Sequence, residues 1–264
     1  MGAIDRICII GAGNMGGAIA GGIFRNPEFS PGRITVTART QETVDRVKAA
    51  NPGICGTTDN AAAAAGADLV VIAVKPWQIK DVIGEIRGVT DYGRCTVASV
   101  VAGVSFREMK EMFSAAPALL RIIPNTAIAL GKSTTFIARD GVDDETAAEV
   151  GRLFGSMGEV IEVPEEMMPA GTALASCGIA YALKYIDAAI KGGVEIGFSA
   201  EESRRIVMKT VEGALALMQA NGTMPGTEID KVTTPGGYTF RGLSAMEEHG
   251  FSKAVLEGLL HSMR

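Results

Sequence analysis

The clearest functional motif of the sequence lies near the start of the chain. Gly11-Ala12-Gly13-Asn14-Met15-Gly16 has the form Gly-x-Gly-x-x-Gly and stands between an apolar run, Ile7 to Ile10, and a helical pattern. In this context glycines permit a tight turn, and backbone N–H groups meet a pyrophosphate at the positive end of the helix. Because the chain has 33 glycines, the motif alone is weak, and its position carries the prediction. We expect Gly11, Gly13, Asn14, Met15 and Gly16 to bind a dinucleotide.

The second strand ends in residues that favour a phosphorylated ribose. An NAD-specific site has Asp or Glu about twenty residues after the last glycine, whereas this chain has Thr37-Ala38-Arg39-Thr40. Arg39 can pair with a 2′-phosphate, a contact of about 1.5–3 kcal/mol or about ten- to a hundredfold in preference. The spacing therefore favours NADP, and a solvated surface arginine is the alternative. Lys75, beside Pro76, is expected at the same edge of the sheet.

A second unusual turn lies in the C-terminal third of the chain. Pro235-Gly236-Gly237 interrupts the chain just before a helical pattern, and Thr234 is predicted to cap that helix. The N–H groups of residues 236–239 would then form a nest for a small anion such as a carboxylate. An ordinary helix-entry turn is the alternative.

The elements that position these residues change in character along the chain. Up to residue 163, short apolar runs alternate with helical patterns, which predicts a doubly wound parallel sheet in an α/β domain. The predicted strands are Ile7–Ile10, Ile34–Thr37, Asp68–Val74, Cys95–Ser99, Ala118–Ile123, Thr134–Ala138 and Val160–Val163, with helices at Met15–Phe24, Gln41–Ala50, Asp59–Ala65 and Asp143–Met157. Thr40 is the predicted N-cap of the second helix.

Residues 164–264 contain no convincing strand and predict a second, all-helical domain. The expected helices are Pro169–Gly192, Ser199–Asn221, Thr239–His249 and Ser252–Met263. Ser199-Ala-Glu-Glu202 has the form of a capping box, which predicts a helix start there.

Composition excludes several classes of protein. The 25 Lys and Arg against 30 Asp and Glu, a net charge of −5, argue against a nucleic-acid binder. The sequence has no run of about 20 uninterrupted apolar residues, the length that a membrane span requires. The hydrophobic residues, 47% of the chain, must therefore enter a core or a subunit interface. The four cysteines stand singly, without metal-like spacing, which predicts a cytoplasmic protein with free thiols and no metal.

With these motifs together, the chain resembles the pyrroline-5-carboxylate reductases from end to end. The most specific match is Val232-Thr-Thr-Pro-Gly-Gly-Tyr-Thr-Phe-Arg-Gly-Leu243 with Glu247, which is similar to the family signature. Further matches are residues 11–19, Ala73-Val74-Lys75-Pro76, Ala102-Gly103, Arg121, Pro124-Asn125-Thr126 and Gly193-Val194. Other enzymes with a Rossmann-like domain share the first motif and lack the signature.

The resemblance implies an enzyme that reduces 1-pyrroline-5-carboxylate to L-proline with NADPH, or alternatively NADH. It also implies a helical dimerisation domain, a homodimer, and a decamer as a larger assembly. The implied cofactor contacts are Gly11, Asn14, Met15, Arg39, Asn60, Ala73, Lys75 and Pro76, with Ala102, Gly103 and Asn125 near the nicotinamide. The implied carboxylate nest is Thr234, Gly236, Gly237 and Thr239. Thr172 matches a threonine beside the substrate nitrogen, as donor or orienter, and an ordinary helix-interior threonine bonded to a carbonyl is the alternative.

One segment departs from the family. Where the family has Ser-Gly-Ser-Gly-Pro-Ala-Tyr, residues 175–181 read Ala-Ser-Cys-Gly-Ile-Ala-Tyr. The change leaves open a different cyclic imino acid or a catalytically silent NADP-binding protein. A β-hydroxyacid dehydrogenase, with Lys184 as its lysine, is a further alternative, although the spacing from Gly178 is wrong and the expected Asn is absent.

Overall fold

The computed structural model describes residues 4–28, 31–113, 115 and 117–263. It divides into two compact units, residues 1–176 and residues 177–264. The domain boundary that we predict after residue 163 stays a prediction.

The first unit is built on one eight-stranded sheet. Its strands are β1 (Ile7–Ile10), β2 (Ile34–Thr37), β3 (Cys55–Thr57), β4 (Leu69–Ile72), β5 (Thr96–Ser99), β6 (Ala118–Ile123), β7 (Ser133–Asp140) and β8 (Gly158–Glu162). Their order across the sheet is β3-β2-β1-β4-β5-β6-β7-β8. The chain reverses its direction of winding between β1 and β4, and such a switch point is where open α/β sheets bind ligands. The predicted Rossmann-like class is confirmed.

Strands β1 and β4 are buried along their whole length, which explains their unbroken apolar sequences. Strand β5 is equally buried and has the polar residues Thr96 and Ser99 at its ends. Side chains alternate between the two faces of the sheet, so Ile7 and Ile9 enter one apolar cluster, whereas Cys8 and Ile10 enter the other. Helices cover both faces: α1 (Asn14–Phe24), α2 (Gln41–Ala50), α3 (Asn60–Ala64), α4 (Ile79–Ile86), α5 (Phe106–Met112) and α6 (Asp144–Gly155).

Local signals placed two helix starts correctly. The Thr40 side chain accepts from the Thr43 N–H at the start of α2, as predicted. The capping box of Ser199 and Glu202 is present at the start of the second unit's longest helix. Such caps satisfy N–H groups that have no carbonyl within the helix.

Three features of the sheet domain differ from the sequence prediction. Strand β7 runs antiparallel to β6, so the sheet is mixed at that edge. Strand β3 lies at the sheet edge and is only partly buried, which explains why it has no apolar run. Helices α4 and α5 also went unpredicted, although Ile79, Val82, Ile83 and Ile86 have the helical period.

A helical stretch from Glu165 to Glu195 begins in the first unit. It contains a 3-10 turn (Glu165–Met167), α7 (Met168–Gly171), a π-helical turn (Thr172–Cys177) and α8 (Gly178–Glu195). The second unit continues with α9 (Ala200–Asn221), α10 (Pro225–Val232), α11 (Tyr238–Glu248) and α12 (Phe251–His261). Helix α10 was not predicted from the sequence.

The second unit has almost no core of its own. Among its described residues, Ser203 alone is buried. Large apolar side chains remain exposed along its helices, for example Leu183, Leu217 and Val232. Because soluble monomers rarely leave so much apolar surface in water, these helices require a partner.

Candidate active site

The predicted cofactor residues of the first unit collect at one edge of the sheet. The glycine turn follows β1, Arg39 follows β2, and Asn60 begins the helix after β3. Residues 73–76 follow β4, residues 102–103 follow β5, and Asn125 follows β6. Because β1 to β6 are parallel, all of these residues stand at the carboxyl ends of their strands.

The glycine turn lies tightly against the sheet and leaves its outer side free. Gly11 has a φ of +100°, and a Cβ there would lie 2.6 Å from the Ala73 carbonyl oxygen. A Cβ on Gly16 would lie 2.1 Å from the Gly11 carbonyl oxygen, so both positions require glycine. A Cβ on Gly13, by contrast, would meet no heavy atom within 4 Å.

The start of α1 is suited to an anion. Gly13 is its N-cap, with no side-chain cap and no acidic residue in the first turn. The N–H groups of Gly11 and Ala12 both donate to the Thr37 carbonyl, at 3.0 and 2.7 Å, which fixes the turn onto β2. The N–H groups of the first helical turn have no intrahelical acceptor and carry the positive end of the helix dipole. These features fit the pyrophosphate of a dinucleotide.

Arg39 is exposed and free to bind an anion. No carboxylate pairs with it within the part of the chain that the structure describes. The neighbouring Thr37 is different, because it is fully buried and its hydroxyl donates to Asn60 Oδ1 at 2.5 Å. The Asn60 amide in turn donates to Glu85 Oε2 at 2.7 Å, so Asn60 braces the end of β2.

The loops after β4 and β5 are open at the same edge. Lys75 and Pro76 are exposed, and the Lys75 N–H donates to Gln78 Oε1 at 3.2 Å. Trp77, the only tryptophan of the chain, is 76% exposed directly beside them. Gly103 has a φ of +76°, a conformation that glycine adopts without strain.

Hydrogen bonds hold the side chains of Asn125 and Thr172. Asn125 is buried, and its Oδ1 accepts from the Ala127 N–H at 3.0 Å. The Thr172 hydroxyl donates to the Met168 carbonyl at 2.7 Å, one helical turn earlier. The Ser176 hydroxyl, in the same π-helical turn, donates to the Pro124 carbonyl at 3.2 Å. The segment with Thr172 is therefore tied to the loop with Asn125.

The predicted carboxylate nest lies in the second unit. Gly236 has a φ of +70°, and Gly237, rather than Thr234, is the N-cap of α11. The prediction that Thr234 caps this helix is wrong, because no side chain caps it; the Thr234 carbonyl accepts the Gly237 N–H at 2.9 Å in a tight turn before the helix. The first turn of α11 has no side-chain cap and no acidic residue. Its N–H groups remain free for an anion.

Thiol chemistry has no support in the core. Burial raises the pKa of the Cys8 thiol to about 12, and burial also raises that of Cys95 to about 12. Because the thiolate is the nucleophilic form, both side chains act as small apolar groups.

Two long-range contacts of this region have no signal in the sequence. Arg121 is buried, and its guanidinium donates to Glu165 Oε1 at 2.7 Å; the same oxygen accepts from the Phe106 N–H at 2.7 Å. The Ser176 bond to Pro124 is the second. Both join residues more than forty positions apart in the chain, and no short motif signals such pairs.

The fold and the glycine turn together define an NAD(P)H-dependent oxidoreductase with a Rossmann-like domain. A family model described as NADP oxidoreductase coenzyme F420-dependent matches residues 6–103. A second, described as pyrroline-5-carboxylate reductase dimerisation, matches residues 165–264.

Individual proteins match over almost the whole chain. Pyrroline-5-carboxylate reductase 1 of Dictyostelium discoideum is 35% identical over 98% of this chain, and the chain spans 48% of that protein. Pyrroline-5-carboxylate reductase 2 of the same organism is 34% identical over 97% of this chain and 90% of its own length. A crystal structure of Plasmodium falciparum pyrroline carboxylate reductase with NADP bound has a TM-score of 0.90, at 24% identity, covering 99% of this chain and 97% of that one. The chain belongs to the pyrroline-5-carboxylate reductase family.

The family assignment also accounts for the exposed apolar helices. By length and composition alone, the helical stretch Glu165–Glu195 could cross a membrane: the most apolar part of it has a mean hydropathy of 1.3, and only 6% of that part is buried. This stretch is not an uninterrupted apolar run, because it contains charged residues such as Lys184 and Asp187. It falls within the dimerisation domain, where an apolar surface covered by another subunit is expected. The chain thus carries the domain of a homo-oligomer.

Proposed function

We propose that this protein catalyses the NADPH-dependent reduction of 1-pyrroline-5-carboxylate to L-proline. The observation that carries the proposal is the similarity to pyrroline-5-carboxylate reductases over 97–98% of the chain. The two anion-binding helix starts support it, since the cofactor and the substrate are both anionic. When bound, NADPH supplies a hydride for the imine carbon C5.

The first unit would hold the cofactor through backbone and charge. The free N–H groups at the start of α1 would bind the pyrophosphate, and Arg39 would pair with the 2′-phosphate. NADH lacks that phosphate, so it would bind more weakly than NADPH. The cofactor contacts that we propose are Gly11, Gly13, Asn14, Met15, Gly16, Arg39, Asn60, Ala73, Lys75, Pro76, Ala102, Gly103 and Asn125.

The substrate carboxylate would bind at the start of α11. The N–H groups of the turn face an anion without competition from an acidic side chain, and the helix dipole adds to the attraction. A Cβ on Gly237 would lie 2.4 Å from Thr234 Oγ1, so this hydroxyl stands close against the turn. Thr234, Gly236, Gly237 and Thr239 form the proposed nest.

Thr172 would orient the substrate rather than protonate it. Its hydroxyl hydrogen is already donated to the Met168 carbonyl, so the oxygen can offer a substrate only its lone pairs. A lone pair suits the N–H of a protonated ring nitrogen, and protonation makes C5 a good electrophile. Since the site residues that we propose include no acid or histidine, catalysis would rest on orientation and electrostatics.

Assembly and location complete the proposal. We infer a homodimer through the helical domain, because one chain leaves that domain without a core. A decamer is the larger assembly that the family resemblance implies. The four free cysteines suit the reducing cytoplasm.

The test is the loss of nicotinamide absorbance when purified protein meets 1-pyrroline-5-carboxylate, with NADPH and NADH in separate assays. We expect turnover with both and a higher kcat/KM with NADPH. A six-membered cyclic imino acid is assayed in parallel, because residues 175–179 depart from the family motif. Turnover of that substrate alone would reassign the reaction. No turnover by protein that still binds NADPH would indicate a silent paralogue.

A further inference from the structure

The turn that carries Thr172 is a π-helical segment and needs outside support. Residues Thr172–Cys177 form a wider turn inside the longer helical stretch. Such π-turns are rare interruptions of an α-helix, and they recur at functional sites. The position of the Thr172 oxygen therefore depends on what holds this turn to the sheet domain.

The residues before the turn are held mainly by packing and by one ion pair. Met168 is fully buried, and a Cβ on Gly171 would lie 2.8 Å from the ring of Phe136. Further back, Glu165 binds both Arg121 and the Phe106 N–H. These contacts fix the entrance to the turn and leave its far end to be fixed separately.

The far end is held by the packing of Ala175 against the apolar core and by one side-chain hydrogen bond, from Ser176. Its hydroxyl reaches the Pro124 carbonyl at 3.2 Å, across 52 residues of sequence. Pro124 is buried, so water cannot donate a hydrogen bond to its carbonyl, and the Ser176 hydroxyl supplies that bond instead. Asn125, the next residue, is itself anchored, because its N–H donates to Ser133 Oγ at 3.1 Å. Ser176 is thus bonded to a rigid point of the proposed cofactor site.

Resting on the proposed function, we propose that Ser176 is a positioning residue for the reaction. It holds the π-turn so that the Thr172 oxygen keeps its place relative to the Pro124-Asn125 loop. Gly occupies this position in the family motif and has no hydroxyl. The departure at residues 175–179 therefore moves the polar side chain of the turn to Ser176, while Ala175 and Cys177 replace the two serines.

The test is a double-mutant cycle of Ser176→Ala and Thr172→Val. Ser176→Ala should lower kcat/KM about tenfold in the wild-type background and have no effect when Thr172→Val is already present, because it acts through Thr172. NADPH affinity, measured by Trp77 fluorescence, should stay within about twofold. An equal loss in both backgrounds, or no loss in either, would overturn the proposal.

The matched control is Ser156→Ala, which removes a hydroxyl that donates to the Leu153 carbonyl at 2.8 Å, at the end of α6. It should leave the kinetics unchanged. If Ser176→Ala does not fold, Ser176→Cys keeps the volume, weakens the donor and carries the same expectation.

Hydrogen exchange separates failure of this proposal from failure of the proposed function. A wild-type enzyme without turnover would refute the function and leave the positioning role to be judged on amide exchange. Peptides covering residues 168–176 should exchange faster in Ser176→Ala than in wild type, and Ser156→Ala should not change them. Unchanged exchange in Ser176→Ala would refute the positioning role whatever the activity.

Discussion

At the scale of a single residue, we expect Arg39 to decide cofactor preference. It is exposed, has no partner carboxylate among the described residues, and follows the strand end where NAD-specific sites place an acid. We expect Arg39→Asp to weaken NADPH binding about ten- to a hundredfold and NADH binding much less. Quenching of Trp77 fluorescence measures both affinities. Arg46→Asp, the same charge change on α2, is the control, and equal losses for both cofactors would contradict the assignment.

Substitution of Thr172 tests, at the same scale, whether its hydroxyl orients the substrate. Thr172→Val keeps the shape and removes the oxygen, so kcat/KM for 1-pyrroline-5-carboxylate should fall about ten- to a hundredfold, as for a lost hydrogen bond to a charged group. Thr172→Ser, which retains the oxygen, should stay within about threefold of wild type. If Thr172→Val has wild-type kinetics, the hydroxyl has no part in the reaction.

At the scale of elements, the approach of α1 to β1 depends on Gly16. An added Cβ would lie 2.1 Å from a backbone oxygen of the turn, and backbone cannot move aside as a side chain can. Gly16→Ala should lower the thermal midpoint and abolish NADPH binding, because the start of α1 must shift. Gly84→Ala is the control: its Cβ would meet nothing within 4 Å, and alanine favours the helix by about 1 kcal/mol. A Gly16→Ala protein that binds NADPH normally would show that the turn tolerates the shift.

Helices α9 and α10 are joined through one carboxylate. Hydrogen bonds from Lys231, Thr223 and Asn221 lower the pKa of Glu228 from 4.5 to about 2. Because the pKa of Glu228 is lower in the folded than in the unfolded chain, the ionised carboxylate stabilises the fold at pH values above about 4.5. This contribution is lost as the pH falls from about 4.5 toward 2. Glu228→Gln should therefore have a lower thermal midpoint than wild type at pH 7.

The difference between Glu228→Gln and wild type should shrink as the pH falls toward 2.5. Thermal scans of both proteins at pH 7, 4 and 2.5 check this. Glu212→Gln, which removes a carboxylate from an exposed pair with Lys209, is the control and should show little effect at any pH. A constant difference between Glu228→Gln and wild type across the pH range would exclude titration of Glu228 as the cause.

At the scale of the whole molecule, stability depends on association. The second unit buries only Ser203 among its described residues, so its folding free energy must come largely from contacts between chains. Sedimentation should give a mass of at least twice the 27.5 kDa of one chain. The thermal midpoint should rise with protein concentration. A monomeric mass with a midpoint that does not depend on concentration would contradict this expectation.

The sequence by itself determined the features that depend on neighbouring residues. The glycine turn, the caps at Thr40 and Ser199, the buried strands and the change from α/β to all-helical order are local patterns, because a few adjacent side chains decide them. The same holds for the absence of an acid after the second strand. These signals sufficed for the class of fold and for the candidate residues of the glycine turn and Arg39, whereas the resemblance to the family supplied Asn60, Ala73, Pro76, Ala102, Gly103 and Asn125.

Only the tertiary structure decided the features that depend on distant residues. The antiparallel direction of β7, the engagement of Asn60 by Thr37 and Glu85, and the bond from Ser176 to Pro124 each require elements far apart in sequence to meet. The bond within the helix from Thr172 to Met168 is local, yet a threonine hydroxyl has several staggered positions, and the packed π-turn selects one. Sequence patterns report which residues are present, whereas the direction of each hydrogen bond is set by packing across the folded domain.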